Sequence, residues 1–210
     1  MENIEELKKQ VVQKFTFMEK QGEIKPYSSI RKILRNNQNE KLLLLIVGVQ
    51  GAGKTTFCQR NFVDKKVINF DDILDKYVLN EKREKIFSGE AVLDQGGGKK
   101  SFEEMNYKVN KIAILKIKEE LKSGLAIVDA ATIGMAFRTV LLDAVKEEYT
   151  KVALIVLNPS FSTIRQHLKN RTETYLFSTF EEMAKEEYDF LQLQINEHLL
   201  EMGVDYVYFV

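Results

Sequence analysis

The sequence predicts a three-layer α/β/α domain built on a five-stranded parallel sheet, preceded by a helical extension, and three observations lead there. Short apolar runs at 42–47, 66–70, 125–128, 152–157 and 206–210 alternate with segments of helical character, the order expected of parallel strands joined by crossover helices. The first run, Leu42 to Val47, is apolar throughout, as a strand buried on both faces requires. Directly after it stands Gly48-Val49-Gln50-Gly51-Ala52-Gly53-Lys54-Thr55-Thr56, a glycine-rich turn opening into a helix. With 210 residues, 44% of them hydrophobic and 30% charged, the chain supports one such domain with a full core. We divide it into a helical extension over 1–40 and an α/β domain over 41–210.

Ile4, Leu7, Val11, Phe15 and Met18 recur every three to four residues and predict an amphipathic helix over 3–21, ended by Gly22. Pro26 and Ser28-Ser29 introduce a short second helix carrying Ile30, Ile33 and Leu34, and Asn36 to Asn39 form the polar loop before the first strand. The second strand, 66–70, ends in Asp71-Asp72 and is followed by a helix over 73–84. Gly89 and Gly96-Gly97-Gly98-Lys99-Lys100 read as a surface loop, because no strand precedes the glycines and no G-K-[ST] ending follows. Residues 102–122 predict a long helix with Ile112, Leu115 and Leu121 turned inward and its lysines solvated. The third strand is closed by Asp129. The fourth leads through Asn158-Pro159 to a helix carrying Arg165 and Arg171.

Composition excludes more than it assigns. Thirty-one basic and 31 acidic side chains leave no net charge to coat a nucleic acid, although a local basic groove, with Lys99, Lys100 and Lys108 as its lining, is compatible with that balance. The single cysteine, Cys58, permits neither an intramolecular disulfide nor a cysteine metal cluster, and His167 and His198 show no metal-ligand spacing. No apolar run reaches the roughly 18 residues that span a bilayer, and no signal peptide is visible, so a cytoplasmic location is expected.

The glycine turn fills every position of G-x-x-x-x-G-K-[ST], a P-loop. Gly48, Gly51, Ala52 and Gly53 let successive backbone N–H groups face phosphate oxygens, Lys54 reaches the β and γ phosphates, Thr55 ligates Mg²⁺, and Thr56 continues the cradle. ATP and Mg²⁺ are the expected ligands. In a parallel sheet, ligands gather beyond the C-terminal ends of the strands, which brings Asp71, Asp129 and Asn158 to the same crevice. Moving a phosphoryl group to an alcohol calls for a carboxylate that takes or orients the hydroxyl proton, the role expected of Asp71. Asp129 is expected at the metal or the acceptor. A cation on a closing lid would meet the transferring group, with Arg171 as first candidate and Arg165 as the alternative.

Taken together, Gly48 to Thr56, Asn69-Phe70-Asp71-Asp72, Val128-Asp129-Ala130-Ala131-Thr132 and Arg165 to Arg171 resemble the P-loop kinases of the polynucleotide 5′-hydroxyl kinase group, over roughly residues 42–175. The resemblance implies that Asp71 is the general base for a DNA or RNA 5′-hydroxyl, that Asp129 places the acceptor end, and that Arg171 contacts the donor phosphates. Two departures stand out. The family carries arginines where this chain has Phe70 and Leu74, the latter gripping the nucleic-acid phosphate, and the asparagine usual after Asp129 is shifted or missing. Those departures strengthen a rival within the same fold, a small-molecule kinase acting on a nucleoside or, like the zeta toxins, on a nucleotide sugar. A third reading, an NTP-driven switch or assembly ATPase, would use the N-terminal helices as a docking surface but leaves Asp71 without a task.

Overall fold

The computed structural model describes residues 23–26, 30–36, 40–79, 98–130, 134–171 and 177–210. The expected helix over 3–21, residues 80–84, Gly89, Gly96, Gly97, Ala131 and Thr132 lie outside them.

The expected parallel sheet is present, with all five anticipated strands. In chain order the elements are β1 (Glu23–Pro26), α1 (Ile30–Asn36), β2 (Leu42–Val47), α2 (Lys54–Asn61), β3 (Val67–Asn69) and α3 (Phe70–Ile73), which runs on into a π-helical stretch, Leu74–Leu79. Then follow α4 (Gly98–Lys122), β4 (Leu125–Asp129), α5 (Met135–Val145), β5 (Lys151–Val156), α6 (Phe161–Arg171), α7 (Phe177–Asn196), a 3₁₀ turn at Leu199–Glu201 and β6 (Tyr206–Phe209). The strand order is β1-β6-β5-β2-β4-β3, and every pairing is parallel.

β2 sits between β4 and β5, and all six of its side chains are buried, which is why it reads as an unbroken apolar run. β1 adds a sixth strand that the sequence did not announce, so the segment before residue 40 is not purely helical. It pairs with β6 from Glu23↔Tyr206 to Pro26↔Phe209. Proline is tolerated there because β1 is an edge strand and Pro26 its last residue.

α4 differs from expectation in two ways. It begins at Gly98, so Gly98, Lys99 and Lys100 form its first turn rather than a loop. Its inward stripe is Val109, Ala113, Ile117 and Leu121, four residues apart, while Leu115 is 61% exposed. Leu115 lies about 200° around the helix from Ala113, on the opposite side from the core. Ile112 packs at the margin of the core, and Leu121 is fully buried as expected.

α5 leads away from the end of β4, and its Arg138 is buried with a guanidinium N–H donated to the Leu199 carbonyl at 3.0 Å. Burial pulls the Arg138 pKa down to about 10, still well above neutrality, so the buried group remains a cation held by main-chain oxygen. No helix among the described residues is long and apolar enough to cross a membrane.

Candidate phosphate site

The turn between β2 and α2 has the backbone its glycines permit. Gly53, which caps α2, has φ 92°, a conformation that L side chains rarely adopt. Gly48 is required for a different reason: a Cβ there would lie 2.9 Å from the Leu157 carbonyl oxygen, on the strand end that runs alongside. The Ala52 N–H closes the turn on the Val49 carbonyl at 3.0 Å. No side chain caps α2, so the positive end of that eight-residue helix faces the turn without an internal acceptor. Such an arrangement favours an anion, and the sequence-predicted residues from Gly48 to Thr56 are gathered around it.

Lys54 curls over the same turn. Its ammonium donates to the Gly48 carbonyl at 2.8 Å and to the Val49 carbonyl at 3.2 Å. Burial pushes its pKa below the ordinary lysine value, and the negative charges of Asp129, Glu187 and Asp71 oppose that fall in decreasing order. Carboxylates on three different elements therefore act electrostatically on one cation.

Asp129, last residue of β4, is 3% exposed. Its Oδ2 accepts the Thr55 hydroxyl at 3.1 Å and the Asn69 side-chain N–H at 2.9 Å. Burial raises its pKa, against the pull of Lys54 and the Thr55 hydrogen bond. Thr55 and Asp129 are thus brought together as expected, a hydroxyl and a carboxylate oxygen at the helix start. Those donors fit Mg²⁺, a hard cation that takes one or two protein oxygens and completes its octahedron with phosphate and water. Among the described residues no group of three or more His, Cys, Asp or Glu forms a separate metal cage.

Asn69 is a residue for which the sequence reading gave no role. Besides its bond to Asp129, its Oδ1 accepts the backbone N–H groups of Asp71 and Asp72 at 2.8 and 3.1 Å, so it is the N-cap of α3. An asparagine two residues ahead of paired aspartates is an N-cap pattern, and that signal was available. Because Asn69 caps the helix, Asp71 does not. The Asp71 side chain is exposed, beyond the C-terminal end of β3, and within electrostatic reach of Lys54.

Two further contacts come from α6 and α7. The His167 Nδ1–H donates to the Gly51 carbonyl at 2.8 Å, a tautomer fixed by the carbonyl's inability to donate. Glu187 Oε2 accepts the Gln50 N–H at 2.8 Å. Neither contact has a local sequence signature, since the partners are 116 and 137 residues apart. Arg165 Nε donates to Glu181 Oε1 at 2.5 Å and ties α6 to α7. Arg171 closes α6, and its side chain lies outside the described residues, as do those of Lys99 and Lys100; Lys108 is exposed on α4. Asn158 follows β5 as expected, where its side-chain oxygen accepts from Gln192 at 2.7 Å. Beside the turn, a cavity of about 480 Å³ is lined by Gly53, Thr56, Phe57, Arg60, Asn61, His167 and Asn170.

No family model matches the chain, and no curated protein matches it. Solved structures do. A chain of the Pnkp1/Rnl/Hen1 RNA repair complex superposes with a TM-score of 0.51 at 16% identity, over 74% of this chain and 45% of that one. Shikimate kinase from Acinetobacter baumannii, in complex with shikimate, matches at 14% identity and TM-score 0.43, over 80% and 82% of the two chains. A gluconokinase from Sinorhizobium meliloti 1021 matches at 16% identity and TM-score 0.37, over 75% and 95%. The chain shares the parallel α/β fold of the RNA repair chain. It spans less than half of the RNA repair chain that it matches.

The two positions at which the sequence resemblance would place arginines are filled by packing. The Phe70 ring meets Phe137 edge-on at 5.7 Å between centroids, and Leu74 packs against the core. Neither offers charge to an acceptor.

Proposed function

We propose that this protein transfers the terminal phosphoryl group of ATP, with Mg²⁺, to a hydroxyl acceptor, and that the acceptor is a polynucleotide 5′-hydroxyl end. The observation that carries the kinase reading is the division of labour between two carboxylates whose charges act on Lys54. Asp129 is buried and committed to Thr55 and Asn69, whereas Asp71 is exposed and relieved of helix capping by Asn69. A carboxylate left exposed and free of capping is what a site needs to take the proton of an attacking alcohol.

Bound Mg²⁺ would supply charge neutralisation between the donor phosphates, with Thr55 and Asp129 as its protein contacts. The chain's own groups do the rest. Backbone N–H groups of the turn and the start of α2 hold the phosphates, and the Lys54 ammonium leaves the Gly48 and Val49 carbonyls to meet the negative charge spread over the phosphoryl oxygens. The Asp71 carboxylate accepts the acceptor's hydroxyl proton as its oxygen approaches in line. The cavity beside Thr56 and Arg60 is large enough for a nucleoside, and Asp71 is not among the residues that line it. Arg171, or Arg165 after release from Glu181, supplies the lid cation.

The packing of Phe70 and Leu74 favours the second reading, a small-molecule kinase acting on a nucleoside or nucleotide sugar, because a polynucleotide backbone finds no cation at those positions. One experiment separates the readings. Labelled γ-phosphate from ATP is offered to 5′-hydroxyl DNA and RNA oligonucleotides and, separately, to nucleosides and nucleotide sugars, with Asp71→Asn as control. Label on oligonucleotides that vanishes in the variant supports the first reading. Label confined to small molecules supports the second, and hydrolysis without a labelled acceptor refutes both in favour of an NTP-driven switch.

A further inference from the structure

Glu187 stands among the charges around Lys54 without a part in the reaction outlined above. Its carboxylate lies on α7, and at the Lys54 ammonium its charge counts second only to that of Asp129. Among the described residues its anchor is one main-chain donor, the Gln50 N–H, inside the phosphate turn itself. The neighbouring contact differs in kind: His167 holds the peptide two along the turn through the Gly51 carbonyl, with no charge required. One peptide of the turn is thus held by a donor and the other by an anion.

Lys54 reaches the β and γ phosphates, so a terminal phosphate adds negative charge at a turn whose Gln50 N–H already holds the Glu187 carboxylate. Like charges in a partly buried site repel more strongly than they would in water. We infer that Glu187 is a positioning residue that senses the terminal phosphate. With a diphosphate on the turn, the carboxylate keeps the Gln50 N–H and α7 stays pinned. A terminal phosphate at Lys54 displaces the carboxylate and frees α7 from Gln50. The charge of Glu187 therefore weakens the binding of a triphosphate relative to a diphosphate, and α7 carries the difference. This inference rests on the phosphate-site reading proposed above.

Glu187→Gln isolates the charge, because its amide oxygen still accepts the Gln50 N–H; Glu187→Ala removes both. Calorimetry with ADP and with a non-hydrolysable ATP analogue, each with Mg²⁺, should show Glu187→Gln binding the analogue about ten-fold tighter while ADP stays within about two-fold. Glu187→Ala should tighten the analogue as well but weaken ADP, having lost the contact that shapes the turn. Hydrogen exchange provides a second readout. In the wild type the α7 segment around Glu187 should be less protected with the analogue than with ADP, and that difference should disappear in Glu187→Gln.

An affinity ratio left unchanged by Glu187→Gln, with loss only in Glu187→Ala, would overturn the sensing role and make Glu187 a neutral clip, while the phosphate site itself would stand. A wild-type protein that binds neither nucleotide would overturn the phosphate site and the sensing role together.

Discussion

Replacing Asn69 by alanine separates two roles carried by one short side chain. Its Oδ1 caps α3 through two N–H groups, and its Nδ2 donates to the buried Asp129 carboxylate. Loss of an N-cap costs about 1 kcal/mol, within a range of about 0.5–2. Loss of a hydrogen bond to a charged group costs about 1.5–3 kcal/mol, and the lower end applies here because Thr55 still donates to Asp129. The expected destabilisation is therefore about 2–3 kcal/mol. At about 2–4 °C per kcal/mol for a chain of this size, Tm should fall by roughly 5–10 °C.

Two companion variants divide that loss. Asn69→Ser restores a cap acceptor but cannot replace the donated amide, so it should recover roughly 1 kcal/mol. Asn69→Asp keeps the cap and sets a second carboxylate against Asp129. It should be unstable at neutral pH and recover as acid protonates the pair. Urea unfolding of the three variants, with phosphoryl transfer measured in parallel, supplies the numbers. Asn69→Ala within about 0.5 kcal/mol of wild type would refute the dual role, since surface changes typically have effects of that size. Asn69→Ser as unstable as Asn69→Ala would refute the cap.

Asp71→Asn should lower transfer by roughly 10²–10⁴-fold while nucleotide affinity and Tm hold, because the side chain is exposed and caps nothing; labelled-phosphate transfer and calorimetry check this. Asp129→Asn should be inactive yet more stable at pH 7. Burial raises the Asp129 pKa above its ordinary 3.8, so the folded chain binds more protons than the unfolded one, and stability falls as pH rises from about that value through the raised one. The amide removes this decline, and thermal melts between pH 4 and 7 should converge for the two proteins at the acid end. Gly48→Ala should cost about 1–3 kcal/mol and weaken nucleotide binding, since its Cβ meets the Leu157 carbonyl at 2.9 Å; normal stability would show that the turn can shift.

How much of the site the sequence disclosed depends on how local each requirement is. The phosphate turn was legible because its backbone demands glycine, and Leu42 to Val47 because burial on both faces leaves no polar position. The positions of Asp71 and Asp129 followed from a general property of parallel sheets, the convergence of strand ends. Contacts made by the packing of distant helices have no such spelling. His167 and Glu187 reach the turn only because α6 and α7 lie where they do. β1 was missed because Glu23-Ile24-Lys25-Pro26 holds one aliphatic residue and a proline, which pattern reading assigns to a loop. Leu115 was misplaced because a lysine-rich helix offers several apolar positions, and only three-dimensional packing selects the stripe through Ala113 and Ile117.

The pairing of β1 with β6 also sets an order of assembly during synthesis. β6 lies between β1 and β5, so β1 has no neighbour to join until residues roughly 180 positions downstream have been made. At typical ribosomal rates of about 5–20 residues per second, β1 waits on the order of ten to forty seconds with its edge unpaired. The β2, β3 and β4 strands, with the phosphate turn between them, can meet well before that. A nascent chain arrested after β5 should therefore present the turn and Asp129 on a partial sheet, with the final edge closing only when Tyr206 to Phe209 emerge.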